Sequence, residues 1–116
     1  MKQSAKEAVL TFIKALNEED FEKAGACLDA SMEFDGVMGK RNGADAYMTD
    51  MKKMKFKYDI LQSFENENEV CLLYNIDMSG KATIFTCGWY HVTDGRIRKL
   101  KVVFDPRPLL EGSNNN

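Results

Sequence analysis

The chain has one histidine and no C-x-x-C pair, so it lacks the chelating spacings that a zinc site needs. Three cysteines, Cys27, Cys71 and Cys87, cannot all pair, and each lies among apolar neighbours. Reduced, buried thiols in a cytoplasmic protein are therefore expected, with no metal and no cofactor. No apolar run approaches the roughly 20 residues that cross a bilayer, and "MKQSAKEAVL" lacks the unbroken apolar stretch of a signal peptide. Acids and bases are mixed along the chain, so there is no concentrated basic face for nucleic acid. The one lysine cluster, "MKKMKFKY", reads as a solvated helix end.

What is present fits one soluble domain. The 116 residues are 44% hydrophobic and 29% charged, with a net charge of −2. Ser4 and Glu7 form an S-x-x-E capping box. After it, Val9, Phe12, Ile13 and Leu16 recur at helical spacing. Asp20 is placed to cap a second helix with Phe21, Ala24 and Leu28 on its apolar side. "SMEFDG" reads as a short strand, and "NGADAYMTDMKKM" as a third helix with Tyr47, Met48, Met51 and Met54 on one side. Strands are expected near 56–65, 69–78, 82–92 and 96–105. Residues 1–110 then form a single domain, and the polar tail 111–116 has nothing to bury and is expected to fray. Segregated helices and strands predict an α+β fold, the helices covering one face of a bent antiparallel sheet.

Turn chemistry assigns the faces. Asp94-Gly95 predicts a two-residue type I′ hairpin, and "MSG" after Asp77 a three-residue loop with Gly80 left-handed. These registers group Cys71, Leu73, Asn75 and Asp77 with Phe85, Cys87, Trp89 and His91, and with Leu100, Val102 and Phe104. The other face receives Val70, Leu72, Tyr74, Ile76, Ile84, Gly88 and Tyr90, together with Lys99, Lys101, Val103 and Asp105. Two unpartnered lysines are costly to bury, so the first face is expected inside. The second, rich in Val, Leu, Ile and Tyr, is expected to form a homodimer interface. Asp105, fixed before Pro106, is expected to finish the last strand at the rim.

The stretches "AVLTFIKALNEEDFEKAGACLDASMEFDG", "GADAYMTDMKKM" and "DGRIRKLKVVFDP" resemble the SnoaL-like members of the nuclear transport factor 2-like superfamily. The resemblance spans nearly all of residues 4–110. It implies a cystatin-like cone, with the N-terminal helices packed in the concave face of a strongly curved antiparallel sheet and a ligand pocket between them. It also implies dimers. Within that superfamily, Asp35 of "EFDG" matches the place of the ketosteroid isomerase base. Phe12 stands where that enzyme has a tyrosine donor, and Gly88 or Trp89 where it has a second acid, so the isomerase set is incomplete. No arginine lies mid-strand between two inward acids, as epoxide hydrolysis requires. Dehydratase or cyclase chemistry would need a His–Asp pair, for which His91 and Asp77 are the candidates.

Two functions from different classes follow. One is a small-molecule-binding domain with a mostly apolar pocket lined by Phe12, Tyr47, Met51, Tyr58, Asn75, Asp77, Trp89 and Phe104. The other is an acid–base enzyme on a small apolar or aromatic substrate, with Asp35 as base assisted by His91 or Asp77. A third reading is a dimeric protein-interaction subunit that uses the outer sheet face.

Overall fold

The capping box forms as expected. In a computed structural model that describes residues 4–114, the Ser4 hydroxyl accepts from Glu7 N at 3.1 Å and the Glu7 carboxylate accepts from Ser4 N at 3.0 Å. It opens α1 (Ala5–Asn17), and Asp20 caps α2 (Phe21–Ala26) by accepting from Lys23 N. There follow β1 (Leu28–Asp35), β2 (Lys40–Asn42), α3 (Ala44–Met54), β3 (Lys57–Asn66), β4 (Glu69–Asp77), β5 (Thr83–Thr93), β6 (Arg96–Phe104) and α4 (Arg107–Asn114). Strand β2 and helix α4 are additions to the sequence reading. The polar segment 111–116 falls partly on α4, and its last two residues lie outside the described part.

The strands form one open sheet in the order β2-β1-β6-β5-β4-β3. The fold class is α+β as expected, but the sheet is mixed, because β1 runs parallel to β6. Bulges bend a sheet, and the ladders shift register at Leu61 in β3, beside Arg98 in β6, and within β1. Val9, Phe12, Ile13 and Leu16 of α1 and Tyr47, Met48 and Met51 of α3 fill the concave side. They share one core with Val70, Leu72, Tyr74, Ile76, Tyr90, Ile97 and Leu100. Each large side chain buried there contributes about 1.5–3 kcal/mol.

That core corrects the expected faces. Thr93 pairs with Arg96 and Val92 with Ile97, as the Asp94-Gly95 hairpin requires, but His91 pairs with Lys99. Arg98 is an extra residue, and the parity of β6 changes on passing it. Leu100 and Val102 consequently stand opposite Tyr90 and Gly88, with Lys99 and Lys101 opposite His91 and Trp89. The lysines do point outward, and through the bulge they take Cys71, Leu73, Asn75, Cys87, Trp89 and His91 out with them. The face expected at a dimer interface, Val70, Leu72, Tyr74, Ile76, Ile84 and Tyr90, is the core. The β4–β5 connection is also longer than the expected three residues, since Asp77 pairs with Thr83.

Deleting Arg98 would restore plain alternation and turn Lys99 and Lys101 inward. A stability loss of at least about 4 kcal/mol is expected in urea unfolding. Arg98→Ala, which keeps the extra residue, should stay within about 0.5 kcal/mol. A mild effect of the deletion would contradict the role given to the bulge.

Candidate functional site

Between α3 and the concave sheet lies a cavity of about 330 Å³. Tyr47, Met51 and Met54 reach it from one side of α3 at i, i+4 and i+7 spacing. Tyr58, Tyr74 and Ile76 form one wall, and Phe34, Leu100, Val102 and Phe104 the other. Its rim is made by the 36–39 connection, Met78, and Leu109 of α4. The rim is tied to the fold at Ser79, whose hydroxyl donates to the Met54 carbonyl.

Tyr58 is held in place from α1. The Asn17 amide donates to the Tyr58 carbonyl at 2.9 Å and accepts from Tyr58 N at 2.7 Å, closing a two-bond clamp where β3 begins. Lys57 adds bonds from its ammonium to the Asn17 carbonyl and the Glu19 carboxylate. The Tyr58 ring meets Tyr74 edge-on at 5.3 Å, and its hydroxyl donates to the Met51 sulfur at 3.8 Å. Tyr74 in turn shares a 2.7 Å hydrogen bond with Tyr90. Gly88 leaves room for that pair, because a Cβ there would overlap the Tyr74 hydroxyl.

Tyr47 differs from these. Its ring packs on Phe34 at 5.0 Å and on Phe12 at 6.4 Å. It lines the cavity at 3% exposure, and among the described residues no protein group accepts from its hydroxyl. Burial pushes its phenol far above the ordinary value, with Tyr74 and Asp50 adding to the effect. Burial raises Tyr58, Tyr74 and Tyr90 as well, and the cavity therefore carries proton donors. Asp50, also in the lining, accepts from Arg41 Nε at 2.8 Å.

The model of the SnoaL-like domain matches residues 9–100, most of the chain. The chain belongs to the SnoaL-like family. No curated protein sequence matches it. Among solved structures, an NTF2-like protein of unknown function from Cytophaga hutchinsonii is 47% identical over 95% of this chain and 97% of that one, with a TM-score of 0.91. An LEH-like epoxide hydrolase from M. tuberculosis is 24% identical over 93% and 87% of the two chains, with a TM-score of 0.81. TerC, crystallised with polyporic acid, is 13% identical over 96% and 98%, with a TM-score of 0.82. The last two likenesses show the shared fold.

Of the residues singled out from sequence, this SnoaL-like domain brings Tyr47, Met51, Tyr58 and Phe104 to the cavity. Phe12 is fully buried behind Tyr47. Asp35, Trp89 and His91 do come together, but in a depression of about 420 Å³ on the outer face with Glu33, Glu69, Lys99 and Lys101. Asp35 accepts from Lys101 at 3.3 Å there, and the Trp89 indole donates to Glu69 at 2.8 Å. The inward placement of Asp35 fails through alternation, since its neighbour Phe34 takes the cavity side. Asn75 and Asp77 also face out; Asp77 accepts from Gly80 N and so serves the β4–β5 turn. It pairs with Thr83 at one end of the hairpin while His91 pairs with Glu69 at the other, so no His–Asp couple forms. Asp105 follows the last residue of β6 and is not in the cavity lining; there Arg107 holds its carboxyl below the usual range. Tyr74 and Asp50 were missed. Among the described residues no three His, Cys, Asp or Glu side chains converge as a metal site would require.

All four tyrosines hold their protons more tightly folded than unfolded. Their stabilisation is therefore complete below the unfolded value near pH 10 and is lost as pH rises above it. Each retained proton steepens the loss by about 1.4 kcal/mol per pH unit. Phenolate absorbance should appear together with unfolding, not before it. A smooth titration at about pH 10 with the fold intact would show that the phenols are open to solvent.

Proposed function

We propose that the domain binds an uncharged, mostly apolar small molecule in the concave cavity, with the Tyr47 hydroxyl donating to an oxygen of the ligand. The observation that carries this reading is the Tyr47 hydroxyl itself, which lines the cavity, stays protonated and has no protein acceptor among the described residues. Among the described residues no polar side-chain atom closed off from solvent is left unpartnered, so this hydroxyl opens to the cavity, where a ligand oxygen can accept from it. The cavity volume is in the range of small-molecule sites, and its walls are methionine, aliphatic and aromatic side chains. Methionine adapts to irregular shapes, which suits a ligand of variable outline. Charge is disfavoured because Asp50, the one charged side chain in the lining among the described residues, is already paired with Arg41.

The acid–base enzyme has less support. Its expected base and its histidine are both on the far side of the sheet, and among the described residues the one carboxylate in the cavity lining is held by an arginine. Titration with naphthol, an uncharged aromatic alcohol, tests the binding reading. One saturable site per chain is expected. Tyr47→Phe should weaken it about tenfold, the worth of one hydrogen bond, and Met51→Trp should fill the cavity and abolish it. Affinity unchanged by both substitutions would overturn the reading.

A second surface supports a partner. Phe64, Phe85 and Trp89 on the outer face are 56%, 58% and 53% exposed. The ladders place Phe64, Cys71 and Trp89 in one row and Leu73, Cys87 and Val103 in the next, so the apolar surface is continuous. We propose that two copies meet through it as a homodimer, Lys101 and Asp35 providing charges of both signs at its edge. Sedimentation at micromolar concentration should give a dimer, and Trp89→Glu a monomer. A monomeric wild type would contradict the interface.

A further inference from the structure

Cys71 and Cys87 lie together on that outer face, and neither the cavity nor the core uses them. Their sulfurs are 3.3 Å apart and both side chains are half-buried. The register pairs Cys71 with Trp89 and Leu73 with Cys87, so the cysteines are diagonal neighbours on β4 and β5. The third cysteine, Cys27, is at the end of α2, its thiol directed to the Lys23 carbonyl.

We propose that Cys71 and Cys87 form a reversible redox modification site, closed to an intramolecular disulfide by a small hydroperoxide and reopened by a thiol reductant. In the first step the Cys71 sulfur attacks a peroxide oxygen. The O–O bond breaks, the sulfur becomes a sulfenic acid, and the other oxygen leaves as water when the oxidant is hydrogen peroxide. The Cys87 sulfur then attacks the Cys71 sulfur. The S–S bond forms, the S–O bond breaks, and the oxygen leaves as a second water carrying the Cys87 proton. The two thiols give up two electrons and two protons in total, and the peroxide accepts them.

The geometry supports both directions of the exchange. The sulfurs must close from contact to about 2.05 Å, by side-chain rotation together with some movement of the two strands. Diagonal positions on adjacent strands are roughly 7–8 Å apart at Cα, whereas relaxed disulfides span about 4.4–6.8 Å. The bridge therefore pulls on the β4–β5 ladder and belongs to the labile, easily reduced kind. Burial, and then Cys71 beside it, pushes the Cys87 thiol up to about 11. That slows Cys87 as a nucleophile, and the contact with Cys71 in the same chain has to offset the low thiolate fraction in the second step. The site is independent of the ligand cavity. It is adjacent to Trp89, so closure alters the surface proposed for the second copy.

The test is oxidation of the Cys27→Ser chain by hydrogen peroxide, followed by intact mass, with and without Trp89→Glu to open any dimer. Loss of two hydrogens per chain is expected, reversed by dithiothreitol. Adding Cys87→Ser should stop the reaction at a sulfenic acid that dimedone traps on Cys71. Reaction only when Trp89→Glu is present would support the pair and show that a second copy covers it. Oxygen added to each cysteine separately, a bridge between chains, or no change with either background would overturn the proposal.

Discussion

One extra residue in β6 determines which side of the sheet becomes the interior. Upstream of Arg98 the β5–β6 ladder obeys the type I′ turn, and Val92 meets Ile97. Beyond it the parity has changed, and Leu100 and Val102 join Tyr90 and Gly88 on the concave side. Without the bulge, one of two costs is unavoidable: either Lys99 and Lys101 are buried, or Leu100 and Val102 are exposed. With it, the apolar sides of β4, β5 and β6 coincide, and α1 has one continuous surface to cover. The local bend that a bulge adds also helps the sheet to curve around the helices. The cavity therefore depends on a backbone irregularity some distance from it.

Within the cavity, packing has fixed the chemistry. Gly88 leaves room for the Tyr74–Tyr90 hydroxyl pair, which ties β4 to β5 beside the cavity wall. The Asn17 clamp fixes Tyr58 from α1, and Phe12 and Phe34 hold the Tyr47 ring. Phenols in this environment stay protonated and can donate, whereas a base must accept. In the proposed reading, donors at fixed places and adaptable methionines around them orient the ligand.

Much of this was readable in the residues. Ser4 with Glu7, Asp20, and Asp94-Gly95 each carry local chemistry that dictates their own geometry, and α1, α2 and the last hairpin formed accordingly. Tyr47 and Met51 followed from helical spacing on α3. The sheet faces did not, because an alternation argument propagates a single register error to every later residue. The signal was present in "RIRKLKV": Ile97 and Leu100 are three apart, and strict alternation cannot bury both. His91 and Trp89 suffered from that same parity, whereas Asp35, placed by resemblance, failed because Phe34 beside it takes the cavity side. Tyr74 was assigned to the wrong side, and Asp50 acquires its place only from Arg41 on β2, a strand too short to show in the pattern.

The central claim is that ligands enter the concave side of the sheet and leave the outer face untouched. Nuclear magnetic resonance with labelled methionine methyls and the Trp89 indole distinguishes the two directly during a naphthol titration. Met38, Met51, Met54 and Met78 all line the cavity, whereas Trp89 lies on the opposite face. The expected result is saturable shifts of those methyls with the indole resonance unmoved. Shifts of the Trp89 indole with silent methyls would place binding on the outer depression and contradict the account.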